Sequence, residues 1–91
     1  MPVIIGEVAT FADVKPDKAQ ALKIGEECME VFSAWEDWRN GLQDEELLPP
    51  LVDEIADTIQ ACANFAAALG VDDMREAMAA CEARNRERGR L

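Results

Sequence analysis

Two pairs of carboxylates carry most of the chemistry available to this sequence. Glu27 and Glu30 stand three residues apart in Lys23-Ile24-Gly25-Glu26-Glu27-Cys28-Met29-Glu30-Val31-Phe32, and Glu54 and Asp57 repeat the spacing in Asp53-Glu54-Ile55-Ala56-Asp57. On a helix, positions three or four apart are surface neighbours, so each pair points its acids one way. Two such pairs on facing helices supply the oxygen ligands that Mg²⁺ takes, and Mg²⁺ commonly keeps further positions for water and phosphate. Like charges packed that closely repel, so the arrangement costs stability unless a cation compensates it. An acidic pair at helical spacing is most often only a solvated face. Here the acidic stripe is narrow and bordered by apolar residues, Glu54 lies at the edge of an apolar helix face, and arginines follow on a later helix.

Other chemistries are closed to the chain by composition. It has no histidine and no tyrosine, which removes imidazole acid–base catalysis and histidine metal sites. Cys28, Cys62 and Cys81 are scattered and form no C-x-x-C pair. An odd, dispersed set reads as reduced, intracellular thiols serving as small buried hydrophobes. Net charge is -10, which argues against binding nucleic acid polymers or anionic membranes through long-range attraction and suits a divalent cation. No apolar run approaches the length of a membrane span, and Pro2-Val3-Ile4-Ile5 is too short for a secretory core. A cytoplasmic location is expected.

Three helices must position the acids. Asp17, just after Pro16, is the expected N-cap of a long helix from Lys18 to about Arg39. Projected at 100° per residue, Ala21, Ile24, Gly25, Cys28, Phe32 and Trp35 centre an apolar arc roughly 200° wide. Leu22 and Met29 extend one edge; Val31 and Trp38 extend the other. Lys23, Glu26, Glu27, Glu30 and Asp37 are left as the polar stripe. Asn40-Gly41 ends this helix, with Gly41 expected in a left-handed cap. A polar loop from Leu42 to Pro49 follows. Pro50 to Leu69 reads as the second helix, closed by Gly70, with Val52, Ile55, Ile59, Cys62 and Ala66 as its apolar stripe. No charge occurs between Thr58 and Val71, as expected of an interior helix. A third helix starts near Asp72 or Asp73, where Asp73 and Glu76 have capping-box spacing. Arg84, Arg86, Arg88 and Arg90 crowd its far end.

The expected fold is therefore all-α: a bundle of about three helices per chain, completed by oligomerisation. One domain spans 17–91, preceded by an arm, 1–16, that packs across the helices. Ninety-one residues of which 49% are hydrophobic carry more apolar surface than a small domain hides alone, so a homodimer or homotetramer is expected.

The motif Glu26-Glu27-x-x-Glu30, twenty-three residues, then Glu54-x-x-Asp57 resembles the signature of the MazG-like all-α nucleoside triphosphate pyrophosphohydrolases. The context is similar too: Ala21-Leu22-Lys23-Ile24-Gly25 before the first motif, Leu51-Val52-Asp53 before the second, and Gly70-Val71 with a capped helix after it. Asn85 among arginines resembles the basic segment that ends many such domains, although the lysine often found before that Asn is absent. The resemblance covers about Lys18 to Arg90. It implies an enzyme that cleaves a nucleoside triphosphate to the monophosphate and pyrophosphate, as house-cleaning or pool control. Glu27, Glu30, Glu54 and Asp57 would hold Mg²⁺, with Mn²⁺ as a possible substitute. Glu26 and Glu27 would serve catalysis, and Arg84, Asn85 and Arg88 would contact phosphate.

Three further residues are candidates for substrate contact, and two of them have a second reading. Lys23 can reach phosphate or pair with Glu26 or Glu27. Trp35, like Trp38, can stack on a base or pack in a subunit contact. Asn64 follows Asp57 by two turns and can reach a base edge. Phosphoribosyl-ATP is the rival substrate. A non-catalytic helical dimer, acting as an adaptor with a solvated acidic stripe, is the rival of another class.

Overall fold

The computed structural model describes residues 2–91, and they form three α-helices and no strand among the described residues. Helix α1 runs Lys18–Asn40, α2 runs Leu48–Ala68 and α3 runs Arg75–Glu87, with a single 3-10 turn at Glu45–Leu47. The all-α architecture expected from the periodicity is observed. Among the described residues, no helix is long and apolar enough to cross a membrane.

Local chemistry sets the ends of the helices. Asp17 caps α1, its carboxylate accepting from the Gln20 N–H at 2.9 Å. Pro49 and Pro50 lie in the first turn of α2, where a missing N–H costs no helical bond. Gly70, at φ +83°, ends α2 in the left-handed region. Gly41 departs from expectation: its φ is -80°, and the left-handed residues are Leu42 and Gln43. A Cβ there would lie 2.5 Å from Leu47 Cδ1 and 3.2 Å from the Asp37 carbonyl oxygen, so a larger residue would require the end of the Leu47 side chain to shift. The capping box at α3 does not form either. The Asp73 carboxylate accepts from the Arg75 N–H at 2.9 Å and pairs with the Arg75 guanidinium at 2.8 Å.

α1 and α2 pack as a hairpin. On α1 the covered positions are Gln20, Ile24, Glu27, Val31, Ala34 and Trp38; on α2 a matching series runs Leu51, Glu54, Thr58, Ala61, Phe65 and Ala68. Steps of four and three alternate in both, the spacing of a coiled-coil seam. This seam takes one edge of the broad apolar arc of α1 and leaves its centre open. Ala21, Gly25, Cys28, Phe32 and Trp35 are exposed, as are Val52, Ile55 and Cys62 on α2. The expected burial of Cys28 and Cys62 is thus not met within one chain. The surface reflects this: 7479 Å² is exposed, where a folded monomer of 10.0 kDa shows about 5,200 Å². The radius of gyration is 15.3 Å against about 12 Å for a compact domain of this length.

The arm crosses α2, held by two side-chain amides. Gln60 Nε2 donates to the Ala9 carbonyl at 2.8 Å, and the Phe11 N–H donates to Asn64 Oδ1 at 3.0 Å. Gln60 Nε2 also lies 3.0 Å from that same Asn64 oxygen. Asn64 is 3% exposed, the best-shielded polar residue described. α3 packs against neither α1 nor α2. An open groove of about 970 Å³ separates it from the end of α2, lined by Val8, Thr10, Ala66, Val71, Met74 and Met78 among others.

Asn64→Ala removes the acceptor for the Phe11 N–H and leaves Gln60 with one partner. The expected loss is about 1–3 kcal/mol of stability, with faster amide exchange at Phe11. Unchanged exchange at that amide would mean that something else holds the arm.

Candidate metal centre

The seam brings three of the four predicted metal ligands together. One carboxylate oxygen each from Glu27, Glu30 and Glu54 lie within 4.8 Å of one another. Glu27 and Glu54 are seam positions, each following an apolar residue by three: Ile24 and Leu51. The helix therefore aims them at the opposite helix. Glu27 is 7% exposed and Glu54 is half-buried, while Glu30 stands exposed at the rim. Asp57 is exposed and lies outside the cluster. Three residues on from Glu54 turns it roughly 60° off the seam, and its short side chain does not reach back. Glu30 is displaced from Glu27 by the same angle, but carries one more methylene.

The electrostatics are those of an anionic pocket short of donors. Glu27 Oε2 and Glu54 Oε2 are buried and accept no hydrogen bond. Lys23 meets only the outer side of the cluster: its ammonium lies 3.1 Å from Glu27 Oε1 and 3.5 Å from Glu26 Oε2. Glu27 beside it, and Glu26 more weakly, hold that ammonium above its ordinary range. The charge on Glu27, with that on Glu54 adding to it, raises the Glu30 carboxyl above its usual range. The ammonium thus pairs with Glu26 and Glu27, and no ion pair reaches Glu30 or Glu54 among the described residues. Buried carboxylate oxygens without donors are costly, and three converging oxygen ligands suit a hard divalent cation such as Mg²⁺ or Mn²⁺. The donor set fits such an ion.

The remaining candidates lie elsewhere. Glu26 is exposed beside the cluster, paired with Lys23. Arg84 and Asn85 are on α3 and Arg88 just past its end, and α3 is not packed on the hairpin that carries the acids. Asn85 is engaged locally: its Nδ2 lies 3.5 Å from Cys81 Sγ, and it accepts from Arg90 Nη1 at 3.0 Å. Trp35 stacks on Phe32 with ring centroids 5.9 Å apart and lies under the Arg39 guanidinium at 5.5 Å. Asn64 gives its oxygen to the arm. Sequence reasoning passed over Gln60. Two amides four residues apart on an uncharged helix were the available signal.

Comparison with models of known protein families, with curated proteins and with solved structures finds no match.

The raised Glu30 carboxyl makes stability pH-dependent. A carboxyl whose folded pKa exceeds its unfolded value binds more protons in the folded chain, so its contribution is full below about 4.5 and is lost as pH rises through the folded value. Without divalent ions, Glu30→Gln should gain stability over wild type as pH rises above that value and show no gain at lower pH. Thermal unfolding of both proteins across pH 3.5 to 7.5 checks it; a pH-independent difference would refute the coupling.

Proposed function

We propose that the protein is a Mg²⁺-dependent nucleoside triphosphate pyrophosphohydrolase. One observation carries the reading: Glu27 Oε2 and Glu54 Oε2, from different helices, are each buried with no donor, in carboxylates that approach each other within 4.8 Å. A solvated acidic face, as an adaptor would carry, has no reason to bury either oxygen. The family resemblance stands on the motif residues alone, and the cluster is where that resemblance places a metal.

Glu27, Glu30 and Glu54 would hold the ion, and Mn²⁺ could replace it. Bound there, it would neutralise triphosphate charge and lower the pKa of water. The water oxygen bonds to the α-phosphorus and the bond to the α–β bridging oxygen breaks, so that nucleoside monophosphate and pyrophosphate leave. Glu26, exposed beside Glu27, is placed to orient the water and take its proton, which passes to solvent. Glu27 fixes the geometry because its side chain is held in the seam.

The working unit on this reading is a homodimer or a homotetramer in the cytoplasm. The uncovered faces of α1 and α2 adjoin each other, and the excess surface, on the order of 2,000 Å² per chain, falls in the range that stable homodimers bury. Gly25 lies on that face with nothing within 4 Å of where its Cβ would be. A mid-helix glycine costs roughly 1 kcal/mol relative to alanine, and close approach of a second helix supplies a reason for it. Phosphate contacts from Arg84, Asn85 and Arg88 would come from an α3 seated in such an assembly. Phosphoribosyl-ATP remains the rival substrate.

A panel of nucleotides with Mg²⁺, scoring pyrophosphate against orthophosphate, tests the chemistry. Pyrophosphate is expected; orthophosphate alone would mean another bond is cut. Glu27→Gln and Glu54→Gln should each lower turnover by at least about a hundredfold, while helicity by circular dichroism is kept and metal-free thermal stability is unchanged or higher.

Sedimentation tests the assembly. Wild type should run as a dimer or larger. Phe32→Glu, at a side chain half-exposed in the single chain, should shift it toward 10.0 kDa with little change in helicity. A monomeric wild type would refute the assembly.

A further inference from the structure

Lys23 occupies a position that a metal-binding enzyme would have to account for. Its ammonium rests on Glu27 Oε1 at 3.1 Å, while the other oxygen of the same carboxylate is buried in the cluster without a partner. The Glu27 side chain is only 10% exposed and its Oε2 is shut off from water, whereas the Lys23 side chain is 50% exposed. It also borders a shallow depression of about 400 Å³ at the start of α1, shared with Lys15 and Gln20. Lys15 makes no ion pair among the described residues. Lys15, Lys18 and Lys23 are the only lysines of the chain and fall within nine positions.

We propose that Lys23 is an exchangeable internal cation: it holds Glu27 while the site lacks a metal, and moves to the phosphates of the substrate when the metal is bound. The inference rests on the metal-site reading above. It follows from charge and geometry. Glu27 cannot give full anionic strength to a divalent ion while an ammonium lies against Oε1, so metal and lysine compete for it. The ammonium released is one turn of α1 from the ion, at the rim of a depression open to solvent. A triphosphate bound to the ion brings several oxygen acceptors to that rim, and the lysine exchanges a carboxylate for a phosphate without crossing apolar surface. The pairing with Glu27 and the contact with phosphate are then successive states of one residue.

Competition makes an unusual demand on mutants. Removing Lys23 should tighten the metal and loosen the nucleotide. A lysine that only props up the fold would weaken both or neither. Binding of Mn²⁺ to the full chain without nucleotide, followed by titration calorimetry or electron spin resonance, reads the first half; KM for the nucleotide reads the second. For Lys23→Met we expect Mn²⁺ affinity to rise about threefold to fivefold, the scale of a half-exposed ion pair. We expect KM to rise roughly tenfold with kcat less affected, the scale of one charge-assisted hydrogen bond. Lys23→Arg should restore both toward wild type. If wild type binds Mn²⁺ but Lys23→Met binds it no more tightly, the exchange is wrong and the metal site stands. If KM is unchanged in Lys23→Met, the phosphate half is wrong. If wild type binds no Mn²⁺, the metal-site reading fails and the exchange with it.

Discussion

Two carboxylates in the seam between α1 and α2, Glu27 and Glu54, set the terms for the rest of the molecule. Every other layer of that seam carries apolar or small residues on at least one helix, such as Val31, Ala34 and Ala61. In this layer, oxygens from opposite helices approach each other with no donor between them. Removing a charge from water without pairing it is among the more expensive local arrangements a small domain can keep. The hairpin keeps it because the flanking layers dock the helices regardless: Ile24, Val31 and Trp38 from one side, Leu51 and Phe65 from the other. The acids are carried by a scaffold that does not need them, as a functional pocket requires.

The hairpin explains which parts of this arrangement could be read beforehand. Helix boundaries are local chemistry, so Asp17, Pro49-Pro50 and Gly70 declared themselves. Glu27 and Glu54 were also legible as acids, from the spacing of the pairs Glu27/Glu30 and Glu54/Asp57 and from the place of Glu54 at an apolar edge, but Glu27 reads there as part of a polar stripe and not as a seam position. The location of the seam within the broad arc of α1 was not legible. An arc of roughly 200° offers more than one packing face, and hydrophobicity does not say which neighbour takes which edge. The chain's own α2 took the edge with Val31 and Trp38, leaving Phe32, Trp35 and Cys28 outside. That Asp57, expected with the other three acids, lies outside their cluster was not legible for a related reason. Motif spacing treats i and i+3 as one direction, whereas across a seam the residual angle and one methylene decide whether an oxygen arrives. Gly41 shows the limit of reading glycine from sequence, since its backbone angle is an ordinary one and its close neighbour is the end of the Leu47 side chain across a turn.

Asn64 and Gln60 belong to the same lesson about polar residues in apolar stretches. Asn64, expected to reach a base edge, is buried at 3% exposure and accepts from the arm. The arm decides its role, because an extended segment has backbone groups to satisfy wherever it touches a helix. Gln60 and Asn64, four apart on one face, provide a donor and an acceptor to Ala9 and Phe11. The uncharged run from Thr58 to Val71 thus has two partners on two sides: the α1 seam and the arm. The outward face of α2, Val52, Ile55 and Cys62, has none within the chain.

Charge and surface then point to one arrangement. The exposed apolar faces of α1 and α2 adjoin each other along one flank of the hairpin seam, and Glu30, Glu26 and Lys23 lie along the other. A second hairpin laid against those faces would exclude water from the apolar flank of the seam without touching Glu27 or Glu54. Lower local dielectric strengthens every interaction there, including the repulsion among Glu27, Glu30 and Glu54, and so sharpens the need for a cation. Lys23 reaches only the outer oxygen of Glu27, and no side chain reaches the two inner oxygens. An ammonium at the rim is thus a partial answer to a charge problem centred between the helices, where a small ion with several oxygen ligands fits and a lysine does not.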